Sequence, residues 1–111
     1  MKRYTSLAIL VLAYATSAEA SPSVQEQLLD RYCTAIHDLA KVTMGLRQLE
    51  VAAADMSANN QGTHGAFIVK EAFKRDLATG VHLHELYTAQ QTANLAFAYE
   101  MEAVCRAEKW Q

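Results

Sequence analysis

After Pro22 this chain contains no further proline, so the residue that most reliably breaks a helix is missing from all but its first part. No stretch alternates apolar and polar side chains over more than a few positions, and Ala, Leu, Glu, Gln and Lys are abundant. The signature of a half-buried strand is therefore absent and helix formers dominate. The expectation is an all-α fold, a small bundle of about four helices, two long and two short.

Helical spacing locates them. Ser23 with Glu26 three residues later reads as a capping box that opens the first helix. Leu29, Tyr32, Cys33, Ile36, Leu39, Ala40 and Met44 then recur at three- and four-residue intervals as one apolar stripe. Gly45 weakens this helix without necessarily ending it. A short second helix is expected over Glu50 to Met56, followed by a loop over Ser57 to Gly65. A third is expected from Ala66 to about Leu77, burying Ile68, Val69, Ala72, Phe73 and Leu77. The segment Thr79 to Tyr87 fits neither pattern. Thr88 with Gln91 reads as a second capping box, opening a last helix that runs to about Lys109 and turns Phe97, Met101, Val104 and Cys105 to one side.

The N-terminus has the three parts of a cleavable signal peptide. Lys2 and Arg3 are its basic start, Leu7 to Tyr14 its apolar centre, and Ala18-Glu19-Ala20 its small-residue cleavage site. The apolar run falls well short of the ~20 residues that span a bilayer as a helix. The expected division is a signal peptide over residues 1–20 and a single helical domain over 21–111, exported to the periplasm or secreted. Cleavage removes Lys2, Arg3 and Glu19, so 8 basic and 11 acidic residues leave a net charge of −3. A mixed, mildly acidic surface argues against nucleic-acid binding and against adhesion to anionic lipid.

The chain has two cysteines, Cys33 and Cys105. An even number in a small exported domain reads most simply as one disulfide, and each falls on the apolar stripe of a long helix. The alternative, a reactive or metal-binding thiol, finds no Cys-x-x-Cys pair and no histidine at ligand spacing. Elsewhere, His82-Leu83-His84-Glu85 crowds two imidazoles and a carboxylate together, but residues two apart share a face only in an extended segment, and no further ligand stands at zinc spacing. His37-Asp38 and His64 are weaker metal candidates still. Nucleophile-elbow, phosphate-loop and His-Glu-x-x-His signatures are absent, so no enzyme, cofactor or small-molecule substrate is expected. Glu71 and Arg75, four apart, read as ordinary helix support. Arg47 prolongs the stripe of Ile36, Ala40 and Met44. Its guanidinium is expected at the core edge, either seeking a carboxylate or leaving its charge in water.

The run Cys33-x-x-Ile36-x-x-Leu39-Ala40-x-x-Thr43-Met44-x-x-Arg47-Gln48, with a late aromatic helix ending at Cys105, resembles a group of small exported helical proteins of Gram-negative bacteria and their phages. That group commonly has a glycine soon after Arg-Gln, where this chain has Leu49-Glu50-Val51. The resemblance implies an exported, disulfide-linked helical fold and no particular activity. Arg47 and Gln48 are the candidate binding residues. The function expected is an interaction module with an unknown protein partner in the envelope. The alternative is a periplasmic acid-stress chaperone. The alanine-rich core favours that alternative, while the lack of a dense carboxylate or histidine cluster counts against it.

Overall fold

A computed structural model of the chain describes residues 23–57 and 60–110. The expected export segment lies outside the described residues. Among those described there are four helices and no strand: α1 (Val24–Gln48), α2 (Ala53–Ser57), α3 (Gly62–Phe73) and α4 (Leu83–Glu108). This is the expected all-α bundle of two long and two short helices.

The helix α1 opens as its sequence indicates, with Ser23 extended and its hydroxyl accepting from the Glu26 N–H at 3.1 Å. Its buried face comprises Cys33, Ile36, Ala40, Thr43, Met44 and Gln48. The long helices run antiparallel: Asp30 meets Arg106, Cys33 is bonded to Cys105, His37 meets Glu102, and Gly45 lies beside Asn94. Cys33 and Cys105 form a disulfide in which both residues are fully buried, with Cα atoms 5.6 Å apart. Ile36, Ala40 and Met44 pack with Phe97 and Met101, and α3 closes this core with Ile68 and Ala72.

Three helices differ from expectation at their ends, each for a local reason. The second helix starts at Ala53 rather than Glu50, because Glu50 takes a left-handed φ of 61°. There the Glu50 N–H bonds the Arg47 carbonyl at 3.0 Å and the Val51 N–H bonds the Leu46 carbonyl at 3.1 Å, closing the end of α1. The third helix occupies Gly62–Phe73 instead of Ala66 to Leu77. A Cβ on Gly65 would stand 2.5 Å from the Asn60 carbonyl oxygen, so the first turn of α3 fits against that backbone only because residue 65 is glycine. Asn60 is fixed in turn by a buried 2.8 Å bond from its amide to the Thr43 hydroxyl. Beyond Phe73, the Lys74 and Arg75 N–H groups turn tightly onto the Glu71 and Ala72 carbonyls, and the helix stops.

The last helix begins at Leu83, five residues before Thr88. The Glu85 carboxylate accepts from the Val81 N–H at 3.2 Å and so supports the helix start, whereas Thr88 is interior and its hydroxyl donates to the His84 carbonyl at 3.0 Å. At its other end Lys109 takes a left-handed φ of 52°, and the Trp110 N–H bonds the Cys105 carbonyl at 3.1 Å. This folds Trp110 onto the core. Its ring stacks on His64 at 4.2 Å and meets Phe67 edge-on, while the Tyr32 hydroxyl bonds His64 Nδ1 at 2.7 Å.

Two measurements check these features. The bridge closes a sequence separation of 72 residues, which by loop entropy restricts the unfolded chain by about 4 kcal/mol. Urea unfolding of reduced protein should lose about that much stability relative to the oxidised form. A glutamate in left-handed backbone costs roughly 1 kcal/mol relative to glycine, so Glu50→Gly should raise the urea midpoint without changing the slope.

Candidate functional site

Gly45 opposes Asn94, and α1 ends three residues later at Gln48. In this antiparallel register α4 continues to Leu83, so about two turns extend past the end of α1. The returning 74–82 connection packs against these turns. A Cβ on Gly80 would lie 2.5 Å from the Leu86 nitrogen, so the approach requires glycine.

Arg47 and Gln48 hold the near end of that connection. The Gln48 side-chain carbonyl accepts from the Ala78 N–H at 2.9 Å. The Arg47 guanidinium lies over the Phe73 ring, 4.8 Å from its centroid, and donates to the Arg75 carbonyl at 3.4 Å. A ring face and a backbone carbonyl thus stand where a carboxylate was sought for Arg47. Arg75 itself pairs with Glu100 on α4 and, at 3.6 Å, with Glu71.

Beside this junction is a shallow groove between the end of α1 and the start of α4. Its α1 wall is Val42, Leu46 and Leu49, and its α4 wall is Tyr87, Gln90 and Gln91. It continues along the projecting turns past Leu83 and Leu86, with Tyr87 and Gln90 common to both parts. Large apolar groups stand in water here: Val42 is 60% exposed, Leu49 72%, Leu83 83% and Tyr87 61%. No Asp, Glu, Lys or Arg lines the groove, and His84 is its one imidazole. Two nearly buried carboxamides also line it, Gln48 and Asn94. The Gln48 Nε2 donor and the Asn94 Oδ1 acceptor each lack a hydrogen-bond partner, a costly condition inside a protein.

The opposite end of the helix pair is polar. Arg106 bridges Asp30 at 2.8 Å and Glu102 at 2.7 Å, which holds its guanidinium above the ordinary range, first through the Glu102 bond and then through Asp30. His37 Nδ1 lies 2.9 Å from Glu102 Oε1 without hydrogen-bond alignment, and its ring meets Tyr99 edge-on. The Arg106 pairs reach solvent and carry small energetic weight, while His37 and Glu102 are half-buried. At the α4 start, Glu85 is engaged with the Val81 N–H, and among the described residues no three His, Cys, Asp or Glu side chains converge as a metal site. No helix among them is long and apolar enough to cross a membrane.

The sequence reading singled out Arg47 and Gln48, next to the groove, but missed its α4 wall, because Leu83 and Tyr87 lay in the segment that fitted neither pattern. The unpartnered Asn94 carried no signal, since a lone asparagine within a helical run shows its burial only once the facing helix is placed.

No protein-family model, no curated protein and no solved structure matches this chain.

One acid-base property is measurable here. The hydrogen bond from Lys74 to Glu71, reinforced by the charges of Lys74, Arg75 and Lys70, holds the Glu71 carboxyl below its ordinary value despite the opposing effect of burial. A lowered folded-state value means that this contribution to stability is present above the unfolded carboxyl range and is lost as pH falls through the lowered value. In Lys74→Ala the Glu71 titration followed by carbon NMR should move up toward the ordinary carboxylate range.

Proposed function

We propose that this chain is a non-enzymatic interaction module of the bacterial envelope, periplasmic or secreted, that binds protein through the groove between the end of α1 and the start of α4. The observation that carries this reading is the concentration of exposed Val42, Leu49, Leu83 and Tyr87 around a lining without Asp, Glu, Lys or Arg. An apolar patch with a rim of amides is the kind of surface that protein partners cover.

Several of the side chains first weighed for chemistry have structural partners, while His82 and His84 stay exposed. The two thiols are joined, His64 lies between Tyr32 and Trp110, and Glu85 supports a helix start. The acid-stress alternative draws less support. Its proton-sensitive contacts, among them Asp30 and Glu102 with Arg106, His37 with Glu102 and Glu71 with Lys74, are scattered pairs rather than one dense cluster, and a disulfide joins the long helices beside them.

The test is photo-crosslinking in periplasm with a benzophenone side chain at position 87, and at position 99 as a control on the polar face. A discrete protein adduct is expected from position 87 alone, and it should vanish when Leu49→Glu is added. No adduct, or an equal one from position 99, would count against the groove as the docking face.

A further inference from the structure

Resting on that reading, we infer that the occupant of the groove is a second copy of this chain, and that the module is a two-fold dimer joined through its projecting α4 turns.

Surface area is the first argument. The exposed parts of Val42, Leu49, Leu83 and Tyr87 offer roughly 500 Å², and the partly covered Leu46 and Leu86 with the neighbouring glutamines bring one face close to the ~800 Å² per partner of a standard interface. One copy therefore offers a face of apolar centre and amide edge that approaches the size of a standard interface.

Charge is the second argument. A two-fold axis brings each patch against itself, so any charge near the centre meets its like. A patch without carboxylate, amine or guanidinium avoids that repulsion, and apart from the His84 imidazole the groove lining has no acidic or basic side chain. The polar end, with Asp30, Glu102 and Arg106, and the side of α4 where Glu100 meets Arg75 of the connection lack that property.

Geometry and hydrogen bonding supply the third. The two projecting turns of α4 leave a step beyond the last turn of α1. A second copy turned by 180° lays its own turns across that step, so that Tyr87 of each packs on Leu49 of the other. A two-fold contact also pairs residue i with j and j with i. The groove holds one unpartnered donor, Gln48 Nε2, and one unpartnered acceptor, Asn94 Oδ1. Both atoms lie just beneath the groove floor, and the Gln48 side-chain carbonyl stays on the Ala78 N–H, so a second copy that covers the groove leaves the hold on the 74–82 connection intact.

Sedimentation equilibrium of the oxidised mature protein, from micromolar to millimolar, reads the assembly directly. The expected result is a reversible dimer. Leu49→Glu and Tyr87→Glu should each weaken it strongly. A hot-spot loss of about thirtyfold per site, counted on both subunits, gives roughly a thousandfold in the dimer constant. Both side chains are exposed, so circular dichroism and an intact disulfide verify that each variant is folded. Tyr99→Glu should leave the dimer unchanged. A protein that stays monomeric at millimolar concentration, or a dimer unaffected by both groove substitutions, would overturn the inference. If the position-87 adduct with another protein persists under either of those results, the docking face stands and only its self-association fails. Loss of the adduct as well removes both.

Discussion

The Cys33–Cys105 bond sets the register in which the rest of the bundle packs. Both half-cystines lie on the apolar faces of the long helices and are fully buried, so the covalent link and the hydrophobic seam hold the same antiparallel pairing. Once α1 and α4 are held at this point, Ile36, Ala40 and Met44 face Phe97 and Met101, and Ile68 and Ala72 of α3 complete the core. A domain of this size with few large side chains gains little from burial alone, which is where a bridge over a long loop contributes most.

Helix ends required more of the tertiary structure than helix interiors did. The stripe from Cys33 to Met44 and the cap at Ser23 were readable because periodicity and capping are local properties of sequence. The same local logic misplaced the start of α4, since Thr88 and Gln91 have the composition of a cap while Glu85 and the packing of Gly80 begin the helix earlier. Glu50 and Lys109 adopt left-handed backbone that composition does not advertise in a charged residue. Trp110, beyond the expected end of the last helix, joins the core because the Lys109 turn sends it there.

The candidate site follows from a mismatch between helices rather than from a motif. Pairing α1 and α4 at Cys33 and Cys105 leaves the beginning of α4 without a facing turn of α1, and its Leu83 and Tyr87 largely exposed. Arg47 and Gln48 were visible as the end of a stripe. Their contacts with Arg75 and Ala78 fix where the 74–82 connection leaves α1, and thereby one boundary of the groove.

The position of the bridge has a topological consequence. The connections on either side of α2 and the 74–82 segment all lie between Cys33 and Cys105. A protease that cuts any of them yields two polypeptides that remain one covalent molecule, each contributing one long helix to the same seam. In an oxidising compartment populated by proteases, a nick in these connections changes the number of chains without releasing either half of the core.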